Sequence, residues 1–158
     1  MVYKILMATI LVPLDTSNIA PKVLLEAESL ALQLHARLIL FHVVEPVATY
    51  VPVGAAMDLI ATSPPELDAE TAVAAKNRLD HLASPLRAKG LDVACEATFG
   101  NPVDEILDRA KTEVADYIIL GSHGHGALYH LFGGSVVTGV LKHCPCPVLV
   151  VPVRVSPE

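Results

Sequence analysis

Five short, mostly apolar runs punctuate this chain and leave little choice of architecture. They are TILVPL at 9–14, RLILFHVV at 37–44, LDVACEATF at 91–99, YIIL at 117–120 and PVLVVPV at 147–153. A strand with one wet face alternates apolar and polar residues, whereas a nearly continuous apolar run fits a strand covered on both faces. Between the runs, apolar residues recur three and four apart, the period of a helix packed along one side. Ile19, Val23, Ala27, Leu30, Ala31 and Leu34 share one face of the first such segment. Ala72, Ala75, Leu79, Leu82 and Leu86 line the second, from about Pro65 to Lys89. Val103, Ile106, Leu107 and Ala110 line the third, and a short fourth helix is expected from about Gly134 to His143. Strands alternating with helices predict an α/β fold, one domain over residues 1–158, with a five-stranded parallel sheet and right-handed crossovers.

Local signals set the boundaries. Thr16-Ser17-Asn18 offers capping side chains for the first helix, and Gly90 is the expected stop of the second, where Pro85 should kink the last turns. Gly100-Asn101-Pro102 reads as turn, N-cap and first helical position, with Asp104 and Glu105 well placed for the helix dipole. The run at 91–99 alternates more than the others, as an edge strand would. Residues 46–65, rich in Pro, Gly and small side chains, read as an irregular surface loop.

Composition narrows the function. A net charge of −6 without clustered Lys and Arg gives no footprint for nucleic acid. The span from Tyr117 to Leu141 has no Asp, Glu, Lys or Arg, but its three His, two Ser and six Gly make a poor lipid-facing helix, so no membrane partner is expected. Cys95, Cys144 and Cys146 are odd in number, and Cys144-Pro145-Cys146 lacks the two-residue spacer of a redox or zinc pair. These read as structural thiols in a reducing cytoplasm, and the apolar start, with no cleavage site before Asp15, reads as a strand rather than a signal peptide.

The stretch GSHGHGALYHLFGGSVVTGVLKHCPCPVLVV, residues 121–151, holds the candidate chemistry. Gly121 directly follows the fourth predicted strand, and ligands of such sheets bind beyond the carboxyl ends of strands. Gly124, Gly126, Gly133 and Gly134 let a ligand approach the backbone, and Ser135 opens a helix whose free N–H groups favour an anion. A phosphate cradle is one reading. A metal site at His123, His125 and His130 is a second, though no carboxylate or Cys lies nearby to complete a shell. A tight connection with no ligand is a third, since neither a dinucleotide fingerprint nor a P-loop is present.

The spacing Gly121, two residues, Gly124, nine residues, Gly134-Ser135 resembles the nucleotide-binding signature of the ATP-binding universal stress proteins. The resemblance extends to ILVPLD at 10–15, LFHVVEP at 40–46, GNP at 100–102 and VLKHCPCPVLVVP at 140–152, nearly the whole chain. It implies a Rossmann-like, adenine nucleotide alpha hydrolase-like fold with strand order 3-2-1-4-5 and helices on both faces. It also implies adenosine over strands one, two and four. Asp15 matches a nucleoside-contacting position and the backbone of Val43 the adenine-reading position. Gly121, Gly124, Gly134 and Ser135, with Val136 following, match the ribose and phosphate positions, and His125 lies between two of them. Where many relatives carry Arg or Lys in this loop, this chain has neither between Lys111 and Lys142. Phosphate binding would then rest on backbone N–H groups, Mg2+ and protonated histidine.

The resemblance further implies a homodimer through the last strand, Val148 to Val151, whose uncharged edge invites pairing. The expected function is a nucleotide-dependent stress-response module holding ATP, or AMP or ADP, with Mg2+ beside the triphosphate. Alternatives are a slow ATPase or autophosphorylating enzyme, for which no spacing identifies a nucleophile, and the family fold without nucleotide. Relatives reach the first strand within a few residues of the initiator, so Met1 to Leu6 reads either as an extension ahead of Met7 or as a mis-called start.

Overall fold

A computed structural model of the chain describes residues 7–15, 20–45, 49–53, 56–60, 65–122 and 136–152. In chain order the elements are β1 (Thr9–Pro13), α1 (Ala20–Leu34), β2 (Arg37–Val44), β3 (Thr49–Val53) and β4 (Ala56–Ile60). They continue with α2 (Pro65–Ala88), β5 (Val93–Phe99), α3 (Pro102–Thr112), β6 (Tyr117–Gly121), α4 (Val136–His143) and β7 (Val148–Val151). Five strands form one sheet in the order β5-β2-β1-β6-β7, every pair parallel. With the β3–β4 hairpin set aside, this is the expected 3-2-1-4-5.

The apolar runs fold this way because both faces of the central strands are covered. Ile10, Val12 and Leu14 of the β1 segment, Leu38 and Leu40 of β2 and Ile119 of β6 turn to one side. There they meet Val23, Leu24, Ala27 and Ala31 of α1 and Leu79, Ala83 and Leu86 of α2. The alternate residues Leu11, Ile39, Phe41, Ile118 and Leu120 turn to the other side, against Ile106, Leu107 and Ala110 of α3 and Val140 of α4. Period-two alternation with no polar phase thus produces two cores separated by one sheet. Burying each of the large strand side chains stabilises the fold by roughly 1.5–3 kcal/mol before chain entropy is counted.

Two details differ from expectation. Leu34 ends α1 at the surface, 39% exposed, while Leu24 takes a core position instead. Residues 49–60, expected to be irregular, contain the antiparallel β3–β4 pair, with Pro52 opposite Met57. A two-stranded ribbon is all edge, so a residue with no N–H can be accommodated there. Helix α2 runs unbroken through Pro85 to Ala88. The proposed caps Thr16 to Asn18, and Ile19, lie outside the described residues.

Helices α1, α2 and α3 close in the same way. Ala36 N–H donates to Ala31 C=O at 2.9 Å, Leu91 to Leu86 at 3.3 Å, and Ala115 to Ala110 at 2.9 Å, the six-to-one bond of a Schellman turn. The residue before each donor sits in the left-handed region: His35 (φ 52°), Gly90 (φ 87°) and Val114 (φ 49°). For a β-branched residue this conformation is strained. Val114 is also 79% exposed, so its side chain returns little in packing. Val114→Gly is therefore expected to raise the unfolding free energy by about 1 kcal/mol, measured by urea denaturation. An unchanged or lowered value would contradict the strain.

Candidate functional site

The strand order reverses between β1 and β6, and the ladder between them is short. β1 pairs with β2 from Thr9 to Pro13, but with β6 only at Ile10 and Leu11. Beyond Leu11 the two strands run on, unpaired with each other, to Pro13 and Gly121. This is the topological switch point, where open α/β sheets receive ligands at the carboxyl ends of their strands.

Two hydrogen bonds fix the exit of β1. Leu14 N–H donates to Phe41 C=O at 2.8 Å. Leu14 C=O in turn lies 2.7 Å from His42 Nδ1. A carbonyl can only accept, so Nδ1 carries the ring hydrogen and the Nε2 of a neutral ring keeps its lone pair. Asp15 follows, exposed at the rim. His42 was not singled out from sequence, although it is the one polar side chain between Arg37 and Glu45.

The backbone of Val43 is placed by the same staple. Arg37 N–H donates to Ala8 C=O while Leu38 N–H donates to Asp92 C=O, so odd-numbered peptide groups of β2 face β1 and even-numbered ones face β5. Val43 is odd. Its expected ladder partner, Leu14 C=O, is held by the His42 ring. Among the described residues, no backbone group of β1 pairs with the Val43 N–H or C=O. The side chain is partly buried against the α3 and α4 side of the core. The Val43 N–H and C=O thus point to the β1 side of β2, beyond the end of β1 at Pro13.

The remaining candidates fall into two groups. Gly121 ends β6, in register with Val151, and Ser122 N–H donates to Val151 C=O at 2.9 Å. Val136 opens α4, partly buried against the same core as Val43. Asp15, Val43 and Gly121 thus stand at the carboxyl ends of the three adjacent strands β1, β2 and β6. Gly124, His125, Gly134 and Ser135, with His123 and His130, lie outside the described residues.

The start of α3 adjoins this rim. Gly100 N–H donates to Val44 C=O at 3.1 Å. Asn101 caps the helix as expected, its Oδ1 accepting from Val103 N–H at 2.9 Å and Asp104 N–H at 3.3 Å. Gly100 has φ 151°, and a Cβ there would lie 2.7 Å from Glu105 Oε1, so this turn suits glycine alone.

Two of the three cysteines, Cys95 and Cys146, are held towards the thiol form. Burial, then the Asp80 carboxylate, pushes the Cys95 thiol up to about 11. Burial, then Cys144, raises the Cys146 thiol as well. Both favour the protonated form, which is neither nucleophile nor metal ligand. Among the described residues no three His, Cys, Asp or Glu groups lie together to hold a metal ion. No described helix is long and apolar enough to cross a membrane.

Comparison with known proteins agrees with this geometry. The model of the "Universal stress protein family" matches residues 7–152. A universal stress protein of Thermus aquaticus is 34% identical over 149 residues, covering 90% of this chain and 97% of that one. One from Methanocaldococcus jannaschii is 39% identical over 77 residues, an alignment that spans 49% of this chain and 48% of that protein. Among solved structures, UspA from Lactobacillus plantarum superposes with a TM-score of 0.71 at 30% identity, covering 91% of this chain and 97% of that chain. The fold is also that of an Archaeoglobus fulgidus universal stress protein in complex with dAMP, with a TM-score of 0.61 at 23% identity, covering 90% of this chain and 96% of that one.

The His42 bond generates a test. His42→Ala removes the donor to the Leu14 carbonyl and is expected to lower the unfolding free energy by about 1–3 kcal/mol, read from urea denaturation. Wild-type stability in the variant would show that the bond does not hold the β1 exit.

Proposed function

The chain belongs to the universal stress protein family, and from that premise we propose that it is an adenine-nucleotide-binding module whose occupancy changes a surface read by other proteins. The observation that carries the proposal is the Val43 peptide group, directed to the β1 side of β2 beyond the end of β1 while the His42 ring occupies the Leu14 carbonyl. Adenine offers a ring-nitrogen acceptor beside an exocyclic amine donor, the complement of one N–H and one C=O on a strand. The fold's occurrence with dAMP in the Archaeoglobus fulgidus protein is in keeping with an adenine nucleotide at this place.

In this reading Asp15 contacts the nucleoside, and Gly121, Gly124, Gly134, Ser135 and Val136 surround the ribose and phosphates, with His125 beside them. ATP is the proposed ligand, ADP or AMP binding through the same nucleoside contacts. Mg2+ would arrive on the triphosphate oxygens, a donor set it favours. The module is proposed to act in the cytoplasm as one domain over residues 1–158.

Calorimetry with nucleotide-free protein tests this directly. ATP with Mg2+ is expected to bind wild type, and Gly134→Asp, which sets a carboxylate among the phosphates, is expected to weaken binding at least tenfold, about 1.4 kcal/mol. No binding of ATP, ADP or AMP to wild type would reject the proposal.

Among the described residues β7 is an edge strand, which supports a homodimer as the working unit. Ile118 N–H takes Pro147 C=O and Ser122 N–H takes Val151 C=O, so odd-numbered residues face β6 and Val148 and Val150 turn their peptide groups outward. Antiparallel pairing of Val148–Val151 with its copy would satisfy those groups across a twofold axis. Val150→Lys is expected to give monomers by sedimentation; a dimer of unchanged affinity would reject the edge as the interface.

A further inference from the structure

Helices α3 and α4 both follow strands of a parallel sheet, so both begin at the carboxyl rim. Their contact is unusually close. A Cβ built on Gly139, in the middle of α4, would lie 2.6 Å from Val103 Cγ2, 3.0 Å from Val103 Cγ1 and 3.4 Å from Val103 Cβ. Valine in a helix strongly prefers one rotamer, so turning the isopropyl group out of the contact has a cost. Any larger residue at 139 therefore pushes α4 away from α3.

Val103 is itself anchored to the adenine end of the site. Its N–H is held by the Asn101 side chain at 2.9 Å, and the neighbouring Gly100 N–H is held by Val44 C=O at 3.1 Å, one residue beyond Val43. On the other side of the contact, Gly139 lies three residues into a helix whose first residue, Val136, directly follows Gly134-Ser135. A continuous path runs from the strand that would read adenine, through Gly100, Asn101 and Val103, to Gly139 and the helix that follows Gly134-Ser135 in sequence. Val103 of α3 and Val136 and Val137 of α4 all pack against the core that holds Val140, so the two helices share one packing surface.

We infer that Gly139 and Val103 form a seat that sets the distance between the adenine and phosphate ends of the nucleotide site. The inference rests on the nucleotide reading above. Neither residue touches ligand; both act as positioning residues. Widening the seat moves the start of α4 and so misplaces the phosphate contacts, while the nucleoside contacts on β1 and β2 stay where the sheet holds them.

The experiment compares ATP with adenosine on Gly139→Ala, Val103→Ala and the double variant. Gly139→Ala is expected to weaken ATP binding about threefold to thirtyfold and leave adenosine binding unchanged. Adding Val103→Ala, which vacates the space the new methyl needs, is expected to restore ATP affinity. Val103→Leu crowds the same contact from α3 and serves if Gly139→Ala does not fold. Val93→Ala, in the core at the amino end of β5, is expected to lower the melting temperature without separating the two ligands. Unchanged ATP affinity in Gly139→Ala, an equal loss of ATP and adenosine, or failure of the double variant to recover would each overturn the inference. Wild type binding neither ligand would instead overturn the nucleotide reading, and the seat with it.

Discussion

The absence of a wet face on β1 and β2 is the constraint from which the rest of the structure follows. Ile10, Leu11, Val12, Leu38, Ile39 and Leu40 are wholly buried, so helices must cover both sides. Parallel strands supply them, because each crossover needs a helix. All crossovers return the chain to the same end of the sheet, so the longer connections gather at the opposite rim. Site and core are two results of one arrangement. The Val43 peptide points past the end of β1 because the odd residues of β2 hydrogen-bond towards β1, and β1 stops first.

The two outer edges of the sheet are treated alike at one end each. On β5 the outward carbonyl of Val93 accepts from Arg87 Nε at 2.9 Å and Nη2 at 2.8 Å. The same guanidinium reaches Asp80 at 3.0 Å, and Lys76 joins Asp80 at 2.7 Å. These cations hold the Asp80 carboxyl well below the usual range, at about 2. On β7 the outward carbonyl of Pro152 accepts from Lys22 at 2.6 Å. A basic side chain from a covering helix thus satisfies an edge carbonyl at opposite corners of the sheet. This is a local way to blunt an exposed strand without a further strand. Val148 and Val150 lie outside the reach of that device.

Much of the fold was legible because its signals were redundant. Apolar runs, helical spacing, Gly90 as a stop and Asn101-Pro102 as a start all pointed to the same elements. Illegible parts had signals that opposed their structure. His35 and Val114 occupy left-handed helix ends where sequence rules expect glycine or asparagine, and the six-to-one bonds that hold them there leave no trace in composition. Pro52 argued against a strand that a two-stranded ribbon tolerates. Asp15, Val43 and Gly121 stand at or just beyond the carboxyl ends of their strands, a placement legible from the apolar runs alone. His42 was hidden inside an apolar run, where its type alone did not show that its ring would take the carbonyl β2 would otherwise bind. Gly139 was hidden for a different reason: its neighbour Val103 is distant in sequence and meets it only through packing.

The short β1–β6 ladder also has a temporal meaning. Ile10 pairs with Tyr117, and Thr9 N–H donates to Asp116 Oδ2 across 107 residues of chain. Of the strand pairings among the described residues this one closes the longest loop, and so carries the largest loop-closure entropy. The segment carrying β1, β2 and β5 leaves the ribosome first and can pair before β6 exists. Until residues 117–121 are synthesised, the central strand of the finished sheet is an open edge. For that interval the nascent chain exposes Ile10, Leu11 and Val12 as a sticky margin, which a chaperone or a neighbouring copy can reach before the second half arrives.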